Sequence, residues 1–196
     1  MIIIKHRVNT IEELESTERK FGVEIDIRTL GVDLIVQHEP FIPGVKLSEW
    51  LRHFEHQILI INLKEDGLEK AILNLMIEFN ITNFFFLDQS MPSFYKTSLI
   101  YPNFCSARVS DIESVETILN FTSGWVWFDS HSGNWDYLKK TLSELSKIKV
   151  KKCLMSPELQ RDNSEKELNN LKRLIDQFSF SFEAVCTKYP EKWLPT

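Results

Sequence analysis

Short, nearly continuous apolar runs alternate with amphipathic stretches along the whole chain, roughly eight of them read as strands, and one polar residue after another stands directly behind them. These observations predict the α/β class and a compact (β/α)8 TIM barrel. Unbroken apolar runs suit a parallel sheet covered on both faces, strand–helix alternation suits crossover units, and about eight strands favour closure over an open sheet. At 196 residues the chain lies near the lower end of about 200 residues for such barrels. Its loops must be short. Residues 188–196 leave little room after the last strand, so the final helix is expected to be reduced or absent. One domain over residues 1–196 is expected, since no linker, repeat or low-complexity segment interrupts the pattern.

The elements follow in order. Residues 2–5 form a strand, and Thr10 with Glu13 three residues on reads as a capping box opening a helix through about residue 21. Residues 22–40 hold the central strands, treated below. A short helix opened by Ser48 spans 47–54, a strand 58–63, an amphipathic helix 67–79 and a strand 83–87. A helix over 92–100, a strand over 104–109 and a helix over 112–119 come next, then a strand over 124–128 and a helix over 135–145. A strand at 150–155, a charged helix at 165–178 and a strand at 184–187 close the series.

Residues 22–40, GVEIDIRTLGVDLIVQHEP, carry the densest chemistry. Strand side chains alternate faces, so Glu24, Asp26 and Arg28 point one way and Val23, Ile25 and Ile27 the other. Carboxylates two apart on a strand lie roughly 7 Å apart at the backbone, close enough for one hard divalent cation, Mg²⁺ or Ca²⁺, which would relieve their repulsion. After a turn over 30–33 a second apolar run leads to His38. Read alone, the two acids equally suit the polar face of an edge strand and His38 a turn. His6 and Arg7, which close the first strand in the same way, add weight to a site.

Composition narrows the classes. With 43% hydrophobic and 26% charged residues the chain is an ordinary globular one. A net charge of −5 and the lack of a dense basic block argue against nucleic acid as partner. Cys105, Cys153 and Cys186 form no CxxC pair and no disulfide framework. The N-terminal apolar run is too short for a signal peptide, and no segment is long enough for a membrane span. A cytoplasmic protein with reduced thiols is expected. A second copy of the chain is expected to cover the site of the missing helix.

The residues closing the apolar runs are His6, His38, Asn62 with Lys64, Asp88, Arg108, Asp129, Glu158 and Thr187. In a parallel barrel all C-terminal strand ends meet at one mouth. Asp88, Asp129 and Thr187, taken singly, are as well explained by a helix cap or loop hydrogen bond. Together the set describes an acidic mouth with two histidines and cations, and such a mouth suits phosphodiester cleavage. A metal neutralises the anion, Arg7, Lys64 and Arg108 hold phosphoryl oxygens, and two histidines divide base and acid duty. Trp127 shares its strand face with Asp129 and lines the mouth; the other tryptophans are expected to pack in core or rim. His53 and His56, in a polar segment, are expected to be solvated. Serine-elbow, P-loop, Rossmann and HExxH signatures are absent.

These residues resemble the glycerophosphodiester phosphodiesterase family within the phosphatidylinositol phospholipase C-like barrels, in a compact bacterial form. His6-Arg7 with Asn9-Thr10 is similar to the family's opening His-Arg-Gly segment, Glu24-Ile25-Asp26 to its Glu-x-Asp metal motif, and His38-Glu39 to its His-Asp pair. IINLKEDGL (60–68), FFFLDQSMP (84–92), SPELQRD (156–162) and CTKYPEKW (186–193) extend the resemblance over most of the chain. It implies metal-dependent hydrolysis of a glycerol- or polyol-linked phosphodiester, small or polymer-borne. His6 and His38 would be the acid–base pair, Glu24, Asp26 and Asn62 the metal ligands, and a cyclic phosphate the intermediate. Three positions depart from the pattern: Val8 stands for Gly, Glu39 for Asp, and Asn62 for an acidic third ligand. Only a few residues separate Glu39 from the next helix, where relatives carry a capping insertion, so an open mouth is expected. The alternatives are a lyase that stops at the cyclic phosphate and an inactive barrel that binds a phosphorylated polyol or a partner.

Overall fold

A computed structural model describes residues 1–120, 122–161 and 164–195. Its strands are Ile2–Lys5 (β1), Gly22–Leu30 (β2), Asp33–Val36 (β3), Val45–Lys46 (β4), Leu59–Leu63 (β5), Phe84–Leu87 (β6), Ser106–Val109 (β7), Trp125–Phe128 (β8), Lys151–Met155 (β9) and Ala184–Thr187 (β10). Parallel ladders join β6, β5, β2, β1, β10, β9, β8 and β7 in that order. Among the described residues the remaining seam, between β6 and β7, carries no ladder. It is held by the parallel bridge of Phe86 to Cys105 and by Ser106 Oγ donating to the Phe86 carbonyl at 2.7 Å. The architecture is the expected barrel with one thin seam.

Strands β3 and β4 stand outside that ring. β3 pairs antiparallel with the end of β2, Ile27 opposite Val36 and Leu30 opposite Asp33, and β4 pairs antiparallel with β3. The connecting turn is two residues long, with Gly31 at φ 64°, a conformation open to glycine at little cost. His38 therefore ends an antiparallel flap and not a barrel strand.

The helices are Ile11–Ser16 (α1), Leu47–Trp50 (α2), Glu69–Glu78 (α3), Met91–Ser98 (α4), Glu116–Asn120 (α5), Tyr137–Leu145 (α6) and Glu165–Phe178 (α7). The Thr10–Glu13 capping box is present, but α1 stops at Ser16 rather than near residue 21. There Thr17 turns its hydroxyl back onto the Glu13 carbonyl at 2.7 Å and leaves the helical region. α5 starts later than residue 112 because Ser110 Oγ accepts from the amides of Ile112 and Glu113, holding a turn in place of a helix start. In place of a final helix stands the 3₁₀ turn Pro190–Trp193.

Alternation on β2 sets the layers. Val23, Ile25 and Ile27 are fully buried against Leu14, Trp50, Ile72 and Met76 of the flanking helices, which leaves Glu24 and Asp26, also without exposure, facing the barrel interior. A one-residue slip would exchange the two faces, and each such aliphatic side chain contributes about 1.5–3 kcal/mol on burial. Below the carboxylates, Gly22 sits between Ile4 and Ile58. A Cβ there would lie 2.4 Å from Ile58 Cγ2, so only glycine fits. Phe85 and Trp125, rings stacked at 4.5 Å, fill more of the core. Trp127, expected at the mouth beside Asp129, is 4% exposed and packs here with its indole close to the Asp129 carboxyl. His56, expected in solvent, is half-buried with Nε2 3.0 Å from the Thr17 carbonyl oxygen, whereas His53 pairs with Glu15 at the surface. All three cysteines are buried and free. No helix among the described residues is long and apolar enough to cross a membrane.

Candidate active site

The ladders bring the first-strand histidine beside the acids. Lys5 is in register with Val23 and Asp26 with Asn62, so His6, Glu24, Asp26 and Asn62 gather where β1, β2 and β5 end. His6 Nε2 lies 3.7 Å from Glu24 Oε2, and the Arg7 amide donates to that oxygen at 2.6 Å. Arg7 adopts φ 56°, unusual for a residue with a side chain, and this turn aims its N–H at Glu24. Val8, where the family pattern has glycine, needs no such conformation: it drops fully buried into the helix-side core, its N–H on the Glu24 carbonyl at 2.8 Å. The left-handed residue of this loop is Arg7.

Asp26 is held from three sides. Asn9 Nδ2 donates to Asp26 Oδ2 at 2.8 Å while Asn9 Oδ1 accepts from the Asp26 amide at 3.0 Å. Lys64 Nζ stands 3.0 Å from Oδ1 and Arg7 Nε 3.5 Å from Oδ2. Asn9 as a clamp on Asp26 was not legible from spacing, because any loop polar residue suits a cap equally well. Glu24 has weaker support. Burial first, and then the charge of Asp26, push its carboxyl up to about 8, partly offset by the Arg7 amide, Asn62 and Lys64. Burial also drives His6 down to about 4, with Arg7, Lys188 and Lys64 adding repulsion against the partial attraction of Asp26. His6 is therefore a neutral imidazole at physiological pH.

Two buried oxygens of this cluster, Glu24 Oε1 and Asn62 Oδ1, make no hydrogen bond, and a third, Asp26 Oδ1, faces the Lys64 ammonium at 3.0 Å. Buried oxygens without donors are costly, and hard divalent cations take such carboxylate and amide oxygens. The donor set therefore fits an ion of that type. Among the described residues no group of three or more His, Cys, Asp or Glu is placed to hold a metal, as follows from an amide standing third.

On the flap, Gln37 N–H bonds to the Asp26 carbonyl at 2.9 Å and Arg28 Nε to the His38 carbonyl at 2.8 Å, which ties His38 to the same end of the barrel as His6. His38 Nδ1 lies 2.7 Å from Glu39 Oε1. Arg7, Asn9, His38 and Glu39 line one groove of about 650 Å³.

The far side of the mouth is arranged differently. Arg108 pairs with both Asp88 and Asp129 and lies 4.0 Å from Glu113, so the cation expected to hold phosphate is enclosed by carboxylates. These acids raise its pKa against the opposing effect of burial. Asp129 also accepts from Gln160 Nε2 at 2.8 Å. Glu158 is buried and accepts from the Ser156 and Thr187 hydroxyls and the Lys188 amide, binding the loops after β9 and β10 to each other. Asp162, the last residue of the SPELQRD segment, lies outside the described residues.

No family model matches the chain, and no curated protein matches it in sequence. Its fold has close counterparts. A glycerophosphodiester phosphodiesterase from Thermotoga maritima aligns over 98% of this chain and 96% of its own at TM-score 0.69 and 16% identity. One from Parabacteroides distasonis aligns over 97% and 94% at 0.68 and 15%, and one from Agrobacterium tumefaciens over 97% of each at 0.68 and 12%. The chain has the fold of solved glycerophosphodiester phosphodiesterases. At these identities the likeness is one of architecture, and the residues at the mouth must carry the chemistry.

Proposed function

We propose that residues 1–196 form a single-domain, metal-dependent phosphodiester hydrolase acting on a glycerol- or polyol-linked phosphodiester. The observation that carries this reading is the gathering of buried oxygens on Glu24, Asp26 and Asn62, those of Glu24 Oε1 and Asn62 Oδ1 without a donor, beside the His6 ring. A divalent cation, Mg²⁺ or Ca²⁺, held by these three side chains would neutralise phosphoryl charge and polarise the P–O bond. Neutral His6 takes the proton of a neighbouring substrate hydroxyl as its oxygen attacks phosphorus. The bond to the leaving alcohol breaks, and that oxygen takes a proton from His38, whose other ring nitrogen stays on Glu39. The resulting cyclic phosphate is opened by water with the two histidines in exchanged roles. Arg7, 46% exposed at its side chain, reaches from the groove to the phosphoryl oxygens. Turnover of glycerophosphodiesters that needs added Mg²⁺ or Ca²⁺ and stops with EDTA is the expected result; activity indifferent to EDTA sinks the metal role.

The 3.0 Å contact of Lys64 with Asp26 favours a second reading, an inert barrel in which an ammonium stands in for the metal and a phosphorylated polyol merely binds. Asn62 separates the two. An amide attracts a cation less than a carboxylate does, and affinity follows ligand charge, so Mg²⁺ should bind in the millimolar range, an order-of-magnitude expectation. Asn62→Glu should tighten it, with Lys64 offsetting part of the added charge. Equal or weaker Mg²⁺ binding by the variant in isothermal titration places the ion elsewhere.

A further inference from the structure

We infer that Lys188 is a phosphoryl-binding cation of this mouth, contacting a non-bridging oxygen of the substrate beside His6; this rests on the phosphodiester reading above. Strand register carries the inference. β1 and β10 are parallel neighbours, with Ile4 opposite Cys186 and Lys5 opposite Thr187, and the pairing continues past the strands as the His6 amide donates to the Thr187 carbonyl at 2.9 Å. His6 and Lys188 are thus next in register, on chains about 4.8 Å apart. Their faces agree as well. Ile4 lies against the interior Gly22, and His6 is two residues on. Cys186 is fully buried and close enough to Glu24, Glu158 and Asp26 for their charges to add to the effect of burial on its thiol, and Lys188 is two residues beyond it. Strand alternation turns both His6 and Lys188 into the mouth.

The other mouth cations each already pair with an acid. Lys64 and Arg7 lie on Asp26, Arg108 between Asp88 and Asp129, and Arg161 makes two bonds to Glu167 at 2.5 and 2.9 Å. Lys188 differs. Its backbone is fixed, N–H on Glu158 Oε1 at 3.1 Å, but its side chain is exposed, and among the described residues no acid stands within ion-pair distance of its ammonium. Glu158, the acid bonded to its backbone, is committed to two hydroxyls and that amide. The ammonium's charge reaches the His6 ring, whose protonation it opposes. A fixed backbone with an unpaired cation next to the base suits an incoming anion.

Isothermal titration with glycerol 3-phosphate in the presence of Mg²⁺ tests this on wild type, Lys188→Met and Lys188→Arg. Methionine keeps the stem and the backbone bond, so thermal melting should not change. The dissociation constant should rise about tenfold or more in the Met variant, the usual loss for a charge-assisted hydrogen bond, and recover largely in the Arg variant. KM for a glycerophosphodiester should rise in parallel with kcat little changed. Equal affinity in wild type and Lys188→Met overturns the role of Lys188 and leaves the proposed activity standing. A loss in Lys188→Met that arginine does not restore points to loop packing and also overturns it. If wild type binds no glycerol 3-phosphate, the phosphodiester reading fails and the inference with it.

Discussion

Alanine at His6 is expected to lower turnover of a glycerophosphodiester by about 10²- to 10⁴-fold, the usual contribution of one general acid or base, with melting and circular dichroism unchanged. His38→Ala should do the same. The folded state tolerates both changes because neither ring is needed for the strand register: His38 sits on the flap, 31% exposed at its side chain, and His6, whose ring lies against the polar Glu24, contributes its backbone N–H to the β1–β10 pairing. The pH profile gives an independent check. Burial holds His6 down to about 4, and a base works only when unprotonated. The acid limb assigned to His6 should therefore lie near pH 4, not near the 6.5 of a free imidazole. If both variants unfold, the histidines are structural; an acid limb at 6.5 that vanishes in His6→Ala would contradict the buried neutral base.

Glu24→Gln should act in opposite directions on function and stability. Function needs the carboxylate at the ion, so turnover should fall at least about 10²-fold, the upper end of the loss on removing a group that fixes a metal site, and Mg²⁺ titration should lose its heat. Stability should rise, because the carboxyl is fully buried next to Asp26. Its folded pKa, raised to about 8 from 4.5, means that the folded protein keeps a proton which the unfolded chain has released. That group's contribution is therefore full below about pH 4.5 and declines as pH rises toward 8. Glutamine removes the decline. Metal-free Glu24→Gln should be more stable than wild type at pH 8 by on the order of 1–3 kcal/mol, with little difference at pH 4.5. A variant less stable at both pH values would show that the carboxylate is well solvated or paired.

What the sequence disclosed is best seen on β2. Alternation alone separates Glu24 and Asp26 from Val23, Ile25 and Ile27, since burial of the aliphatic face leaves the acids a single side. The near side of the mouth was legible for the same reason: parallel strands end together, so His6, Asn62 and Lys64 come beside the acids of β2. Strand direction was harder to read. The run before His38 has the apolar content of a barrel strand, and only the two-residue turn at Gly31-Val32 marks it as antiparallel, since a parallel neighbour needs a crossover. Pairing between side chains was not legible at all. Nothing in the spacing of Arg108, Asp88 and Asp129 says that the cation is enclosed, nor that Asn9 clamps Asp26 or that Lys188 stays free. Those outcomes depend on which loops face one another after the barrel has formed. Helix ends moved for a local reason, the hydroxyls of Thr17 and Ser110 competing for backbone groups.

The most direct measurement is phosphorus NMR of glycerophosphodiesters incubated with the protein and Mg²⁺. The account predicts decay of the diester signal, a cyclic phosphate resonance that appears transiently, and growth of a phosphomonoester, all stopped by EDTA and absent with His6→Ala. A cyclic product that accumulates without opening makes the protein a lyase. A diester signal unchanged across glycerol- and polyol-linked substrates with either Mg²⁺ or Ca²⁺ would contradict the account.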